Sequence, residues 1–233
     1  MTQAAALKYM KRVDTREIPY GTNEIRGFLV VRNEKLRLPS TLRHHRSLGV
    51  RRFFALDNGS TDGTLDYLCG EPDVHVFSTS SSYAESNYGL TWTNELLNAF
   101  GSGHWTLTID ADEQFIFPHY EGITLPQFCG FLDSIGAEAV PCLLLDMYPG
   151  VAIRDATHDP IRPLLETCNY FDHAPTGCTG PISAPTLKSP AESANACSRR
   201  TGPNFAHQPL ARCRWCDGNA ECSSSAARTI SAR

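Results

Sequence analysis

Two aspartates separated by a single alanine follow an apolar run near the middle of the chain. Asp110 and Asp112 come directly after residues 105–109, which have strand-forming character. In an extended chain, residues i and i+2 face the same way and lie roughly 6–7 Å apart. Two carboxylates placed in this way can share one hard cation, or divide their work between a cation and a hydroxyl group of a ligand. The alternative interpretation is a strand that ends in a polar, acidic loop.

Two further carboxylates follow the ends of other predicted strands. Glu34 comes after residues 25–31, and Asp57 comes after residues 50–56. The carboxyl ends of parallel strands lie on one edge of a sheet, where ligands bind in open α/β folds. Bringing several like charges together is unfavourable unless a cation or hydrogen-bond donors compensate them. The pattern therefore predicts that Glu34, Asp57 and the Asp110–Asp112 pair converge in a binding crevice.

Apolar runs and helical periods alternate along the first half of the chain. Leu38, Leu42 and Leu48 recur at helical spacing, with Pro39 tolerated in the first turn and Gly49 at the carboxyl end. The predicted elements are strands at residues 25–31, 50–56, 74–77 and 104–109, separated by helices at 38–48, up to 68, and at about 90–100. This alternation predicts an α/β fold, with a Rossmann-like, nucleotide-binding parallel sheet flanked by helices.

Weaker patterns follow the acidic cluster. They predict a short strand at 115–117, a helix at 125–132, and a strand at 137–145 that ends at Asp146. In the turn after the second strand, Ser60, Thr61 or Asp62 is expected to cap the short helix that follows.

The overall composition is that of a globular protein. The chain has 233 residues, of which 41% are hydrophobic and 20% charged, with a formal net charge of −4. This balance gives no indication of a nucleic-acid partner. No apolar run approaches the roughly 18–20 residues of a membrane span, and the first dozen residues lack a signal-peptide pattern. We therefore expect a protein without a transmembrane segment, located in the cytoplasm.

A break in composition near residue 174 divides the chain into three predicted parts. Residues 1–24 form a polar lead-in, 25–173 form the α/β domain, and 174–233 form an atypical tail. The tail is rich in Ser, Ala and Pro and carries five of the nine cysteines. Few of its residues are apolar enough to offset the entropy of ordering, so we expect it to be poorly ordered.

The tail also contains one C-x-x-C pair, Cys213 and Cys216, to which Cys222, Cys197 or His207 could add further zinc ligands. A zinc ribbon needs a second pair at regular spacing, and the sequence has none. One hypothesis is that an altered reading frame replaced the native end of the protein. Translation of the other two frames past codon 173 tests this, since one of them should then restore a sequence typical of the rest.

The sequence has neither a G-x-G-x-x-G nor a G-x-x-x-x-G-K-[ST] motif, so a bound diphosphate would need a metal ion instead. Three segments, V-V-R-N-E at 30–34, D-N-G-S-T-D-G-T at 57–64 and D-A-D-E at 110–113, together resemble the family 2 glycosyltransferases. The resemblance is strongest to a bacterial subgroup with R-N-E followed by a helix carrying paired histidines, His44 and His45, and ending in L-G-V. It covers about residues 25–148 and implies a GT-A fold, a nucleotide-sugar donor and Mg²⁺ or Mn²⁺.

The resemblance also implies a role for each matching residue. Asn33 and Glu34 would line the nucleoside pocket, and Asp57 would hydrogen-bond the base. Asp62 belongs to the same nucleotide-sugar-binding set, although shaping the adjacent turn is its favoured role. Asp110 would lie by the ribose and the metal, and Asp112 would bind the metal. Asn58 stands where many members of the family have a second aspartate.

The reaction implied is a single displacement at the anomeric carbon of the sugar, with inversion. A carboxylate would accept the proton of the acceptor hydroxyl. Asp146 is the candidate for this base, and the alternative is an ordinary loop aspartate. The acceptor would be a saccharide or a lipid-linked molecule, and a lipid-linked acceptor would bring the protein to the inner face of the membrane as a peripheral component.

Two other functions compete with sugar transfer. A nucleotidyltransferase of related fold would need a Gly-rich, basic loop after the first strand, which Arg32-Asn33-Glu34 does not provide. A non-catalytic nucleotide-sugar-binding remnant, or a scaffold with a zinc-binding tail, would bind without turnover. The atypical carboxyl-terminal segment could also impair a transferase.

Overall fold

A computed structural model describes residues 7–19, 23–171 and 228–231 of the chain. These residues form an α/β structure with helices on both faces of one sheet. The strands are β1 Lys11–Arg12, β2 Ile25–Val31, β3 Val50–Asp57, β4 Val74–Ser78, β5 Trp105–Thr108, β6 Ala139–Pro141 and β7 Arg228–Ser231. The helices are α1 Leu38–Leu48, α2 Thr64–Gly70, α3 Leu90–Phe100, α4 Leu125–Ser134 and α5 Leu164–Thr167, with a 3₁₀ turn at Ile153–Asp155.

The sheet has seven strands in the order β1-β4-β3-β2-β5-β7-β6. All neighbouring pairs are parallel except β1 and β4, which are antiparallel. The sheet is therefore mixed, which corrects the expectation of a parallel sheet. The strand responsible, β1, lies within the segment predicted to be a polar lead-in. It is exposed and only two residues long, so no apolar pattern marks it.

Alternation along β3 separates two hydrophobic cores. Phe53 and Ala55 pack on one face of the sheet with buried residues of α1, α2 and α4. Phe54 and Leu56 pack on the other face with residues of α3, including Trp92. Successive side chains of a strand point to opposite faces, so a strand that is apolar at every position must be covered on both sides. This explains why β2 and β3 read as continuous apolar runs.

The segment from β2 to β3 has the elements that the sequence predicts. The predicted strand at 25–31 is confirmed, and so is the helix at 38–48. Gly49 ends α1 with a φ of 114°, and its N–H donates to the carbonyl groups of Arg46 and His45. A side chain at Gly49 would also lie 2.7 Å from a ring carbon of Pro126. This position therefore requires glycine for two independent reasons.

The structure differs from the predictions in one strand that is absent, one strand that is shorter and one helix cap. Residues 113–117 form no strand, because Phe115 and Phe117 are buried by side-chain packing and Phe117 stacks on Phe128. The strand predicted at 137–145 is reduced to Ala139–Pro141. Gly63 occupies the N-cap position of α2, although the predicted Asp62 accepts a hydrogen bond from the N–H of Thr64, the first residue of the helix.

The strand β7 was not expected. Arg228–Ser231 lies between β5 and β6 and is parallel to both. These four residues belong to the tail that the sequence predicts to be poorly ordered, and no apolar pattern in the sequence marks them as a strand. The candidate zinc ligands of the tail lie outside the described residues. In the part of the chain that the structure describes, no helix is long and apolar enough to cross a membrane.

Candidate functional site

The carboxyl ends of β2, β3 and β5 meet at one edge of the sheet. Val31 pairs with Asp57, and Phe28 pairs with Thr108. Neighbouring strands lie about 4.8 Å apart, and Thr108 pairs with a residue three positions before the end of β2, at about 3.3 Å per residue, so these three ends fall within about 14 Å of one another. β2 has β3 on one side and β5 on the other, so the strand order reverses at β2. Open α/β sheets bind ligands at such a reversal. The predicted convergence of the strand ends is confirmed.

The loops that follow β2 and β3 are joined by side-chain hydrogen bonds to backbone groups. The N–H of Asn33 donates to the hydroxyl of Ser60 at 2.9 Å, and the N–H of Thr61 donates to the side-chain oxygen of Asn33 at 2.8 Å. The N–H of Glu34 donates to the hydroxyl of Thr64 at 2.8 Å. Asn33 has a φ of 58°, in the left-handed region that asparagine tolerates better than most residues. Its side-chain oxygen therefore holds this pair of loops together.

Asp62 shapes the turn rather than facing the crevice with an unused carboxylate. One of its oxygens accepts from the N–H of Lys35 at 3.1 Å, and the other accepts from the N–H of Thr64 at 2.9 Å. The side chain itself is exposed. Both oxygens are occupied by groups of the chain, which agrees with the turn-shaping role favoured for Asp62.

Asp57 has the most unusual environment among the predicted site residues. It ends β3 and is only 2% exposed. Its Oδ2 accepts hydrogen bonds from the N–H groups of Gly59 and Ser60, both at 3.1 Å. Its Oδ1 is buried, and no described residue donates a hydrogen bond to it. Buried acceptors are nearly always satisfied, and one left without a donor costs free energy.

Glu34 forms an ion pair at this end of the sheet. The half-buried carboxylate of Glu34 forms a 2.7 Å ion pair with Nη1 of Arg37, the residue that precedes α1. This hydrogen bond raises the pKa of Arg37, and the negative charge of Asp112 adds to the effect. The Arg37 guanidinium is therefore paired with Glu34 and lies within electrostatic range of Asp112.

Asp110 and Asp112 are both exposed, on either side of the buried Ala111. The N–H of Asp110 donates to Glu113 Oε2 at 3.2 Å, which closes the loop as a tight turn. Within the described ranges, no three His, Cys, Asp or Glu side chains are grouped so as to hold a metal ion. Mg²⁺ usually binds through one or two carboxylates together with substrate phosphates and water. The carboxylate oxygens of Asp110 and Asp112 are suitable ligands for a cation of this kind when a diphosphate supplies the other ligands.

Helix α1 holds the acidic loop through residues to which the sequence interpretation assigned no role. Thr41, which is fully buried, donates a hydrogen bond to the carbonyl group of Ala111. The side chains of His44 and His45 contact the backbone of Phe115, three residues after Asp112. The spacing i, i+3, i+4 of Thr41, His44 and His45 was the available signal, because it puts all three on one side of a helix.

Asp146 is not at the end of a strand. It is exposed, within the irregular segment 142–147 that follows β6. The three leucines that precede it are exposed as well, and Leu143 is 90% exposed. The apolar run at 143–145 therefore faces solvent, and the geometry that made Asp146 the candidate base is absent.

No protein-family model matches the chain, and no curated protein matches it either. The candidate site therefore rests on the geometry of the sheet edge described above.

Proposed function

We propose that this protein is a metal-assisted glycosyltransferase of the GT-A type, which transfers a sugar from a nucleoside-diphosphate sugar to an acceptor hydroxyl with inversion. Three features support the proposal. Polar loops gather at the point where the strand order reverses, one buried carboxylate oxygen has no donor among the described residues, and two exposed aspartates follow the adjacent strand. The motifs at 30–34, 57–64 and 110–113 lie together at this edge.

The observation that carries the proposal is the unsatisfied oxygen of Asp57. A carboxylate can only accept hydrogen bonds, so a ligand group that satisfies Oδ1 must carry an N–H or O–H. A nucleobase with an N–H donor meets that requirement. Because Oδ1 is closed off from solvent, the base reaches it only after neighbouring side chains move apart. The binding energy of the base is expected to offset this movement.

Asp110 and Asp112 would hold the metal ion, with Asp110 also beside the ribose. The bound metal would stabilise the charge of the departing diphosphate. The other residues of the loops orient the nucleoside: Asn33 and Glu34 fix the chain beside it, and Asp57 accepts the hydrogen bond of the base. The acceptor would be a saccharide or a lipid-linked molecule.

Binding without transfer is the second candidate function. It is favoured by the position of Asp146, the candidate base, which is exposed in an irregular segment. A protein with an intact nucleotide site and no positioned base would bind a nucleotide sugar without turning it over. Hydrolysis of the donor, measured with Mn²⁺ in the absence of an acceptor, separates this candidate from a transferase.

A thermal-shift panel tests the proposal. Uridine, guanosine, adenosine and cytidine diphosphates are each added with and without Mn²⁺, to the wild-type protein and to Asp112→Ala. We expect at least one nucleotide to raise the melting temperature of the wild type, and Mn²⁺ to increase that shift only when Asp112 is present. If no nucleotide shifts the wild-type protein under either condition, the proposed function is wrong.

A further inference from the structure

We propose that Thr41, His44 and His45 of α1 are positioning residues for the metal-binding loop, and that they hold Asp110 and Asp112 in the geometry that a cation–diphosphate ligand requires. This inference rests on the proposed function. It assigns a role to the paired histidines, which the motifs alone leave unexplained.

The two histidines hold the peptide groups on both sides of Phe115. The carbonyl of Phe115 lies 2.9 Å from Nε2 of His44, and the N–H of Phe115 lies 3.3 Å from Nε2 of His45. A carbonyl can only accept and an N–H can only donate, so His44 donates to Phe115 while His45 accepts from it. The backbone at Phe115 is thus bound through both its donor and its acceptor.

The second ring nitrogen of His45 determines the tautomer of the ring. Nδ1 of His45 lies 2.8 Å from the carbonyl oxygen of Thr41, so it must carry a proton and donate it. Nε2 is then the unprotonated nitrogen that the N–H of Phe115 needs. Burial lowers the pKa of His45 to about 3, with a further contribution from the adjacent His44, so the ring is neutral near pH 7. The neutral ring satisfies both partners at once.

Thr41 fixes the loop at a third point, between the two aspartates themselves. Its hydroxyl donates to the carbonyl of Ala111, the residue that separates Asp110 from Asp112. α1 therefore fixes the backbone between the aspartates and again at Phe115, three residues beyond Asp112. The aspartates are exposed and belong to no helix or strand, so these contacts restrain the backbone that carries the two carboxylates.

Such contacts matter because a metal ion demands a narrow range of ligand positions. Groups that orient metal ligands typically change metal affinity or activity by roughly 10–100-fold when they are removed. Thr41, His44 and His45 contact the backbone of Ala111 and Phe115, so they would act on a bound cation through the loop. A role limited to packing would instead change the stability of the fold and leave the affinity for Mn²⁺ unchanged.

The test compares two variants that remove a hydrogen-bond donor with one that restores it. Thr41→Val keeps the shape of the side chain without its hydroxyl, and His44→Leu removes the donor to Phe115. His44→Gln keeps an N–H near the position of Nε2. The affinity for Mn²⁺ is measured by the enhancement of water-proton relaxation, in the presence of whichever nucleoside diphosphate shifts the wild type most. Urea unfolding is measured in parallel.

We expect Thr41→Val and His44→Leu to weaken Mn²⁺ binding roughly tenfold, while His44→Gln recovers most of the loss. Nucleotide binding without Mn²⁺ should be unchanged in all three variants, since Asp57 is untouched.

Wild-type affinity for Mn²⁺ in His44→Leu, or a His44→Gln variant as weak as His44→Leu, overturns the positioning role and leaves the proposed function standing. A wild type that binds nucleotide but no Mn²⁺ overturns the positioning role together with the metal assistance. A wild type that binds neither overturns the whole proposed function.

Discussion

The side-chain oxygen of Asn33 accepts a hydrogen bond from the N–H of Thr61, 2.8 Å away, across 28 residues of sequence. This contact joins the loop after β2 to the loop after β3. Asn33 makes it from a left-handed backbone conformation, with a φ of 58°. The residue therefore combines a conformational role with a hydrogen-bonding role, and substitutions can separate the two.

Asn33→Ala and Asn33→Gly form a matched pair for this purpose. Alanine loses the hydrogen bond and is also disfavoured in the left-handed region, so we expect a loss of about 2 kcal/mol in the free energy of unfolding. Glycine loses only the hydrogen bond and tolerates the conformation, so the expected loss is about 1 kcal/mol. Urea unfolding measures both. Equal losses in the two variants would show that the conformation of Asn33 contributes nothing.

We expect that Asp57 lowers the free energy of unfolding of the protein and raises its affinity for the nucleotide. Its Oδ1 is a buried carboxylate oxygen to which no described residue donates, and burying a charged oxygen without a donor is more costly than burying a neutral polar group. Asp57→Asn keeps one oxygen to accept from Gly59 and Ser60. We therefore expect its free energy of unfolding to equal or exceed that of the wild type, while its affinity for the nucleotide falls at least tenfold.

Urea unfolding and calorimetric titration of the best nucleotide check this prediction on the same Asp57→Asn preparation. A variant that is clearly less stable and keeps its affinity would assign Asp57 a purely structural role. Ser60→Ala shows the effect of the loop contact alone, because it keeps the backbone N–H that donates to Asp57 and removes the hydroxyl that accepts from the N–H of Asn33.

The stability of the protein should fall as the pH is lowered below about 6.5, with His45 as one identifiable cause. Its folded pKa is about 3, below the ordinary value of 6.5, because burial disfavours the charged ring. Between these two values the unfolded state binds a proton that the folded state does not, so stability decreases as the pH falls. Above about pH 6.5 the ring is neutral in both states, so this loss of stability is absent. At pH 5.5 the expected loss from His45 alone is about 1.4 kcal/mol.

Urea unfolding at pH 7.5 and pH 5.5 measures the loss, and His45→Gln identifies the share that belongs to His45. Glutamine does not titrate, so the difference between the two pH values should shrink by about 1.4 kcal/mol in that variant, whatever its absolute stability. His44, His75 and His104 also have pKa values lowered by burial, so a residual pH dependence should remain. An unchanged difference in His45→Gln would exclude His45 as a source.

The sequence predicts those elements whose signals lie within the element itself, such as helix α1. The helix α1 has apolar residues at helical spacing, a proline in its first turn and a glycine at its end, so sequence alone locates it from Leu38 to Leu48. The common edge at which the strands before Glu34, Asp57 and Asp110 end was predictable for a related reason. The carboxyl ends of parallel strands share one edge whatever the details of the packing.

The sequence interpretation failed where tertiary contacts decide the structure. Phe115 is held by hydrogen bonds to His44 and His45, which precede it by about 70 residues, so its apolar neighbours need no strand partner. Leu143 is 90% exposed although it lies in an apolar run. Pro141 has no N–H to donate to a ladder, which is consistent with β6 ending there.

The strand β7 provides the last prediction, because its position depends entirely on long-range pairing. Arg228–Ser231 lies between β5 and β6, so the backbone of this strand has a hydrogen-bonding neighbour on each side. Proline at an interior strand position removes a ladder hydrogen bond and is rarely accommodated.

Thr229→Pro should therefore lower the free energy of unfolding by about 3 kcal/mol and speed hydrogen exchange of the amides of β5. Thr229→Val, which favours a strand, should leave both unchanged. Wild-type stability and exchange rates in Thr229→Pro would show that β7 does not contribute to the sheet in solution.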